Sequence, residues 1–389
     1  MTDPARPAVI YLDNNATTQP ASEVVDAMLP YLTDLYANPS SAHGPAMAVK
    51  RAVGAARGAV ASLIGAKTAE IVFTASATEA NHLAILGTLR ARPERRHVVT
   101  TAVEHPSNLM LFKHLQELGY HVTILPVDDA GRIRRHELAA VVSSDTALVS
   151  VMWANNETGV LMPVMEAADV ARSRGAAFHT DAVQAVGRLE VDLRELRIDL
   201  LTFSGHKLHG PKGVGVLFVR KGFDLAPMIM GHQERHLRGG TENVPAIVGM
   251  GVAARLAADG LASGAGAGIA ALRDRLEVGV LARMPGARIN GAGAARLPNT
   301  SNISFTDSGG RPLEGEALLL RLDQAGIQVS MGAACAAGGM DPSHVLLALG
   351  LGPALAASSL RFSLSHHTTA SDIDAVLEAL PPIAARLAA

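Results

Sequence analysis

The sequence predicts an α/β fold built on a large, mostly parallel β-sheet. Seven short apolar runs lie between residues 70 and 220, and most are separated by segments long enough for a helix. The runs are almost continuously apolar, which is typical of strands buried on both faces of a parallel sheet. In chain order they are EIVFTAS, HVVTTAVEH, HVTILPVD, ALVSVMWANNE, AAFHTDA, DLLTFSG and VGVLFVR.

The pattern changes after about Met250, where long helices rich in alanine and leucine replace the strands. We therefore predict a large cofactor-binding domain over residues 16–255 and a smaller C-terminal α+β domain over residues 256–389, which residues 1–15 join as an N-terminal arm. The glycine run in DGLASGAGAGIAAL is similar to a phosphate loop in composition, but no strand precedes it, so it predicts a junction between helices. The basic run RARPERRH predicts a solvated turn.

Composition limits the classes of function. The 389 residues, of which 48% are hydrophobic and 18% charged, predict a soluble globular protein of two or three domains. A formal net charge of -2 gives no electrostatic reason to expect a nucleic-acid partner. The start of the chain is unlike a signal peptide, and no stretch of about 18 apolar residues lacks a charge, so no membrane association is expected. The single cysteine, Cys335, favours a reducing, cytoplasmic location.

Polar residues end five of the predicted strands. In an open α/β sheet, ligands bind beyond the carboxyl ends of the strands, so these residues are candidates for a common site. The segments are SATEAN, EHPSN, NNETG, HTDAVQ and SGHK. They supply an acid, an amide, an imidazole, three hydroxyls and an amine, which are Asp181, Gln184, His105, Ser76, Thr78, Ser204 and Lys207.

Each segment also has a purely structural interpretation. SATEAN can cap a helix with Glu79 in its first turn, although the same open helix terminus can bind a phosphate. His105 precedes a proline suited to a first helical position, and Asp181 could cap the helix that follows it. Lys207 is either a solvated charge on a loop or a reactive amine.

Pyridoxal phosphate is a ligand that accounts for the whole set. It requires a lysine for a covalent link, an anion at its pyridine nitrogen, a donor near its phenolic oxygen, a flat group over its ring and a phosphate site. All five kinds of group are present. Lys207 would form the covalent link and act as an acid and base. A carboxylate such as Asp181 would keep the ring nitrogen protonated.

Motifs along nearly the whole chain, from Tyr11 to about Thr369, resemble those of the cysteine desulfurases of the iron-sulfur-cluster and nitrogen-fixation type. The motifs are YLDNNATT, NPSSAHG, SATEAN, EHPSN, NNETG, HTDAVQ, SGHKLHGPKGVG, RGGTEN and RFSLSHHTT. The resemblance implies a fold type I pyridoxal-phosphate transferase that works as a homodimer. It also implies an enzyme that takes sulfur from L-cysteine and releases L-alanine.

The resemblance assigns roles around the cofactor. Lys207 is implied to be the lysine that links to it, His105 the acid and base stacked on its ring, Asp181 the partner of its pyridine nitrogen and Gln184 the contact of its phenolic oxygen. The residues implied to hold the phosphate are Ala77, Thr78, Ser204 and His206, with Thr241 from the neighbouring subunit.

The resemblance also assigns a substrate side and a nucleophile. Asn156 and Arg361 match the substrate-side positions, where an arginine can hold the amino-acid carboxylate through two hydrogen bonds. Cys335 matches the cysteine that attacks the substrate sulfur and becomes a persulfide. From the residues alone, Cys335 could instead be a small core residue, but the neighbouring glycines favour a loop.

The sequence departs from the family pattern in two places. The family commonly has Ser-Ser-Gly-Ser-Ala-Cys-Thr around the cysteine, whereas this chain has Met331, Ala333 and Ala336 in place of two serines and the threonine. His236 stands where a glycine is usual. Selenocysteine lyase or aminotransferase activity on the same fold, and a non-catalytic scaffold for sulfur transfer, remain alternatives. An iron-sulfur scaffold or another acceptor protein is expected to receive the sulfur.

Overall fold

The computed structural model describes residues 9–331 and 342–388. In this part of the chain the strands are β1 (Ile10–Tyr11), β2 (Ile71–Thr74), β3 (His97–Thr101), β4 (His121–Leu125), β5 (Thr146–Ser150), β6 (Ala177–Asp181), β7 (Leu200–Ser204), β8 (Gly215–Val219), β9 (Arg288–Ile289), β10 (Thr300–Ser304), β11 (Ile327–Gln328) and β12 (Ser359–Ser363). The helices are α1 (Ser22–Thr33), α2 (Gly44–Leu63), α3 (Ala77–Ala91), α4 (Pro106–Glu117), α5 (Arg135–Val141), α6 (Val164–Ser173), α7 (Val244–Ala262), α8 (Ala265–Arg283), α9 (Gly315–Gln324), α10 (His344–Ala348), α11 (Pro353–Ala357) and α12 (Ala370–Ala388).

The seven predicted strands form one sheet in the order β2-β8-β7-β6-β5-β3-β4. Strands β3 to β7 run parallel to one another, and β8 is antiparallel to both β2 and β7. The prediction of a mostly parallel sheet is therefore confirmed. The carboxyl ends of β3, β5, β6 and β7 meet at one edge, and the reversed direction of β8 brings its first residue, Gly215, to that same edge.

The burial of the strands explains their apolar sequences. Every residue of β2, β3, β5, β6, β7 and β8 is buried, because helices cover both faces of the sheet. Strand β4 lies at the edge, and its His121 and Ile124 are exposed. The basic run from Arg90 to His97 connects α3 to β3, which confirms the predicted turn.

Helix α7 is the core helix between α1 and α2. By length and composition it is apolar enough to cross a membrane, unlike the expectation from the sequence, but it packs here against α1 and α2. Gly251 lies so close to Ala56 of α2 that a Cβ would collide with it. Helix α7 ends at Ala262, and Gly264, with φ 71°, turns the chain into α8. The predicted helix junction is therefore confirmed.

Two large apolar cores lie in the described part of the chain. The first surrounds the seven-stranded sheet and extends from Val24 to Ala356. The second joins α8, α9 and α12 to the small sheet β12-β10-β9, and it includes Leu12 near the start of the chain. The domain boundary at residues 255 and 256 stays a prediction, and α7 runs continuously across it.

Candidate active site

Lys207 ends a short 3₁₀ turn, Gly205–Lys207, directly after β7. Its amino group donates hydrogen bonds to the carbonyl oxygens of Asn15, at 2.5 Å, and Ala16, at 2.7 Å. Burial, reinforced by the positive charges of Arg188 and Arg361, lowers the pKa of Lys207 to about 7. A solvated surface lysine would lack these features, so the structure favours the reactive amine.

Asp181 and Gln184 lie at the end of β6, on the strand next to Lys207. One Asp181 carboxylate oxygen accepts a hydrogen bond from the backbone N–H of Val183 at 3.0 Å, so the residue caps a turn rather than a helix. The Gln184 amide donates to the Asn15 carbonyl oxygen at 3.1 Å, the same atom that Lys207 contacts. The structure therefore brings Gln184 and Lys207 together, and the buried Gln184 side-chain oxygen has no partner within the described residues.

Asn81 also contacts the candidate site, although no pattern in the sequence predicts a role for it. Its amide donates to the other Asp181 oxygen at 2.7 Å, and its own side-chain oxygen accepts from the Thr202 hydroxyl. Both Asp181 oxygens therefore accept hydrogen bonds, which fix the orientation of the carboxyl group. Asn81 faces Asp181 because α3 packs on β6 and β7, which sequence spacing alone does not reveal.

His105 ends the loop after β3 and caps α4. The backbone N–H of Ser107 donates to His105 Nδ1 at 3.2 Å, so Nδ1 carries the lone pair and the neutral ring holds its proton on Nε2. Burial lowers the pKa of His105, with a further lowering by Lys207 and an opposing effect of Asp181. His105 therefore caps α4 and also interacts electrostatically with Asp181 and Lys207.

The residues predicted to bind the phosphate include the N-terminus of α3. Ala77 and Thr78 are its first two residues, whose N–H groups have no acceptor within the helix. Ser76 caps the helix by accepting from the N–H of Glu79 at 3.1 Å. A Cβ at Gly215 would collide with the Ser76 carbonyl, so only a glycine lets β8 pass this close.

Ser204 and His206 flank the turn that carries Lys207. The Ser204 hydroxyl donates to the Val214 carbonyl oxygen at 3.2 Å. His206 Nδ1 lies 3.2 Å from the Thr17 hydroxyl. Burial, followed by the charge of Lys207, lowers the pKa of His206 to about 4, so the ring is neutral at neutral pH.

Arg361 lies on β12 and reaches the site from the second core. Its guanidinium donates to Asp13 at 2.6 Å and to the Asn156 carbonyl oxygen at 3.1 Å. Its buried Nε has no partner within the described residues. The side-chain amide of Asn15 also donates to the Asn156 carbonyl oxygen, at 3.1 Å. The two predicted substrate-side residues, Asn156 and Arg361, are therefore in contact.

The segment Asp13–Thr18 connects the residues of the site through hydrogen bonds, although no role was predicted for these residues. Asn15 alone joins Lys207, Gln184 and Asn156. Its carbonyl is placed there because the N–H of Asn15 donates to the Ser363 hydroxyl on β12 at 2.9 Å. The polar run LDNNATT, following the apolar VIY, is the signal in the sequence that could have identified it.

Thr241 and Cys335 are not seen with the other predicted residues. Thr241 is exposed, in the segment before α7. Nearby Arg238 forms an ion pair with Glu79 in the first turn of α3 at 2.8 Å, which ties this segment to the predicted phosphate site. Cys335 lies outside the described residues, as do Ala333 and Ala336. Met331 is half-buried against the second core.

His236 belongs to a strained segment. Glu234, Arg235 and His236 have φ angles of 45°, 57° and 66°, in the left-handed region that glycine adopts most easily. This explains why a glycine is usual at the position of His236. The strain is held by Glu234, whose carboxylate forms two 2.7 Å hydrogen bonds with Arg57 and accepts from the N–H of Phe73 at 2.9 Å.

These groups fit pyridoxal phosphate. The edge of the sheet offers a partly neutral amine, a carboxylate held as an acceptor, a partly buried imidazole and an open helix N-terminus. Gly215 lets β8 lie directly against that terminus, where a Cβ would collide with the Ser76 carbonyl and the Ala77 nitrogen. The amine suits the cofactor's aldehyde, the carboxylate suits its ring nitrogen and the helix N-terminus suits its phosphate.

Comparisons with known proteins identify the family of this chain. The aminotransferase class-V family matches residues 10–376. Cysteine desulfurase 2 of Trichormus variabilis is 50% identical over 98% of this chain and 94% of its own length, and the cysteine desulfurase NifS of Azotobacter vinelandii is 48% identical over the same shares. A solved NifS-like protein superposes with a TM-score of 0.90 at 36% identity, over 97% of this chain and 100% of that one. The chain therefore belongs to the class-V aminotransferase family of pyridoxal-phosphate enzymes, among its cysteine desulfurases.

Proposed function

We propose that this enzyme removes the sulfur of L-cysteine, releases L-alanine and retains the sulfur as a persulfide on Cys335. The observation that carries the proposal is the Lys207 amine, which is partly buried beside Gln184 and Asp181 and has its pKa lowered to about 7. Such an amine is available for covalent chemistry at neutral pH. The resemblance of the relatives named cysteine desulfurase supports L-cysteine as the substrate.

The residues that would hold pyridoxal phosphate are those gathered at the sheet edge. The N–H groups of Ala77 and Thr78, with Ser204 and His206, would bind the phosphate, and Asp181 would bind the pyridine nitrogen. When bound, the cofactor supplies an aldehyde that captures the substrate amine and a ring that accepts electrons from the substrate carbons. Asn81 keeps the carboxyl group of Asp181 oriented for that contact.

Arg361 is suited to the substrate carboxylate. Its guanidinium is buried and held in position by Asp13 and by the Asn156 carbonyl oxygen, and its Nε is unpaired within the described residues. A carboxylate that accepted from this guanidinium would relieve the unpaired donor, and charge-assisted bonds of this kind are strong and directional. The amino group of the substrate would then face Lys207, whose pKa Arg361 lowers.

Proton transfers are assigned to Lys207 and His105. Near neutral pH a pKa of about 7 lets the Lys207 amine both accept and donate a proton. The lowered pKa of His105 keeps its ring neutral, and the hydrogen bond from the Ser107 N–H to Nδ1 fixes the tautomer. As a base, His105 would take a proton on Nδ1, which requires the bond from Ser107 to break first. As a donor it would use Nε2–H.

The sulfur step balances with Cys335 as the nucleophile. The carbon–sulfur bond of the substrate breaks and a sulfur–sulfur bond forms on Cys335, while the substrate carbon gains a proton. L-cysteine and the enzyme thiol thus give L-alanine and the enzyme persulfide without an external oxidant. The attacking form is the thiolate, and an ordinary thiol pKa of about 8.5 requires a nearby base, for which His105 is the candidate.

The test compares the wild-type enzyme with Cys335→Ala. Given L-cysteine, the wild type is expected to gain one sulfur atom on Cys335 and to release L-alanine. The variant is expected to bind L-cysteine with a change in its absorption spectrum but to release almost no alanine. In separate samples of both proteins, kept without substrate, borohydride reduction should give a reduced cofactor adduct on Lys207, which serves as the control for an intact site.

Other outcomes distinguish the alternatives. Undiminished alanine release by Cys335→Ala would indicate direct elimination, as in a selenocysteine lyase, and would refute the persulfide. Release of a keto acid would indicate an aminotransferase. An absence of any cofactor adduct on Lys207 of the wild type would favour a non-catalytic scaffold.

The assembly and the sulfur acceptor are part of the same proposal. The enzyme is expected to act as a cytoplasmic homodimer that passes sulfur to an iron-sulfur scaffold or to another acceptor protein. A dimer is supported by exposed apolar residues on and after α1, including Leu29, Leu32 and Tyr36, and by the exposed position of Thr241. Pull-down from a native extract under reducing conditions, with Cys335 intact, tests the acceptor.

A further inference from the structure

Three histidines outside the candidate active site form a cluster. His209 follows the turn that carries Lys207, and His366 and His367 lie between β12 and α12. The ring centroids are 4.3 Å apart for His209 and His366, and 4.0 Å apart for His366 and His367. One nitrogen from each ring lies within 4.8 Å of the other two.

His209 is held in one position and one tautomer. Its backbone N–H donates to the Thr18 hydroxyl at 2.8 Å, and its Nδ1 lies 2.9 Å from the Gln19 carbonyl oxygen. A carbonyl oxygen only accepts, so Nδ1 carries the hydrogen and Nε2 carries a free lone pair. Metal-binding histidines are commonly oriented by this kind of bond to a backbone carbonyl. The φ angle of 55° shows that the fold holds His209 in an unfavourable conformation.

A tight turn presents His366 and His367. The backbone N–H of His367 donates to the Ser365 hydroxyl at 3.2 Å, and the N–H of Ser365 donates to the Thr368 hydroxyl at 3.0 Å. Both imidazoles are exposed and can rotate. The carboxylate of Glu23 interacts electrostatically with His366, so an acidic group is close to the cluster.

We propose that His209, His366 and His367 bind a divalent transition-metal ion of the Zn²⁺ class. Three imidazole nitrogens, with water or Glu23 as a fourth ligand, match the tetrahedral coordination of Zn²⁺. Bonds of about 2.0 Å place ligand nitrogens closer together than 4.8 Å, and rotation of the two exposed rings toward His209 closes the gap.

The ion would join the two apolar cores. Leu208, next to His209, belongs to the first core, whereas Leu364 and Ile373, on either side of the histidine pair, belong to the second. The three histidines and Lys207 also line one cavity of about 830 Å³. Metal binding therefore stabilises the native arrangement of this cavity wall, since a ligand that binds only the folded state raises its stability.

The test titrates Zn²⁺ into the cofactor-loaded enzyme and measures binding by calorimetry and stability by thermal unfolding. Cys335→Ala serves as the background, so that the thiol cannot bind the metal. We expect one ion per chain and a higher melting temperature. His366→Ala and His367→Ala should each weaken binding by at least about tenfold, and the absorption of Co²⁺ used as a probe should indicate tetrahedral nitrogen coordination.

Two further variants make the result decisive. His209→Asn removes the third ligand while tolerating the left-handed backbone, so it should fold and bind the metal weakly. His136→Ala, an exposed histidine outside the cluster, should bind like the background. Binding that is not saturable at one ion per chain, or that is unchanged in the three cluster variants, would overturn the proposal.

Discussion

Burial shifts the pKa values of two ionisable groups near the site in opposite directions. The amine of Lys207 loses its proton more easily because burial and two arginines oppose its charge. The carboxyl of Glu104, one residue before His105, keeps its proton because burial raises its pKa to about 8. Its Oε1 accepts hydrogen bonds from the Thr101 hydroxyl and the N–H of Met152, whereas its Oε2 has no partner within the described residues. Lys207 is therefore expected to make cofactor loading depend on pH, and Glu104 is expected to make the stability of the fold depend on pH.

Cofactor loading should follow the titration of Lys207. Because its pKa is lowered to about 7, the amine becomes the neutral nucleophile as the pH rises through about 7, not through 10.5 as for an exposed lysine. The rate at which apo-protein binds pyridoxal phosphate covalently should therefore rise through that pH and then level off. Arg188→Met removes a positive charge that lowers this pKa, so its inflection should move to higher pH. An unchanged inflection would contradict the role of Arg188.

Glu104→Gln should stabilise the apo-protein at high pH. The folded pKa of about 8 exceeds the ordinary value of 4.5, so between these values the unfolded chain releases a proton that the folded chain keeps. The free energy of unfolding of the wild type therefore falls as pH rises through this window, by an amount on the order of a few kcal/mol, whereas glutamine cannot ionise. The melting temperature of the variant relative to wild type should increase from about pH 5 to about pH 8. Glu117→Gln, at an exposed position, is the control and should show no such trend.

At the scale of elements, the segment Glu234–His236 is the clearest conflict between local preference and tertiary contacts. Three consecutive residues other than glycine adopt the left-handed conformation. That arrangement costs on the order of 1 kcal/mol or more for each residue and persists only where the surroundings enforce it. The surroundings here are Arg57 on α2 and the N–H of Phe73 on β2, both bound to the Glu234 carboxylate.

Glu234→Gln should destabilise the protein by removing the contacts that hold the segment Glu234–His236 in its left-handed conformation. The Glu234 side chain is 3% exposed, so removing its charge leaves the Arg57 guanidinium without its bidentate partner, at a cost of about 3 kcal/mol in the free energy of unfolding. Chemical denaturation measures this loss. Asp374→Asn breaks the exposed pair with Arg275 and should cost less than about 1 kcal/mol. Equal effects of the two substitutions would show that Glu234 does not hold the segment.

At the scale of the whole molecule, the site joins distant parts of the chain. Asp13 and Asn15 come from the N-terminal segment, Lys207 and Gln184 from the large sheet and Arg361 from the small one. Thr241 would add a contribution from a second subunit. Relative motion of the two cores would therefore disturb the Arg361 contacts as well as the cavity beside Lys207.

Thr241→Ala tests the proposed composite site. If the Thr241 hydroxyl reaches the phosphate of the neighbouring subunit, the variant should remain a dimer in sedimentation but lose cofactor faster on dialysis, by about tenfold for a lost charge-assisted bond of about 1.4 kcal/mol. Thr68→Ala, an exposed hydroxyl just before β2 and outside the apolar face of α1, is the matched control. A wild-type monomer that retained the cofactor fully would rule out the composite site.

The sequence by itself determined the strands, their burial and the residues at their carboxyl ends. These depend on short-range patterns: apolar runs such as DLLTFSG must be buried, and the polar residues that end parallel strands must share one edge. Recognition of the family motifs then assigned roles to Lys207, Asp181 and His105.

Only the tertiary structure decided what surrounds those residues. Asn15 meets Lys207 across 192 positions of chain and Asn81 meets Asp181 across 100, contacts that follow from how the segments pack and that no local pattern encodes. The shifted pKa values of Lys207 and Glu104 have the same origin, because desolvation depends on every neighbour that excludes water. The three-histidine cluster likewise exists only because two apolar cores bring His209 beside a turn more than 150 residues away, with all three rings within reach of one ion.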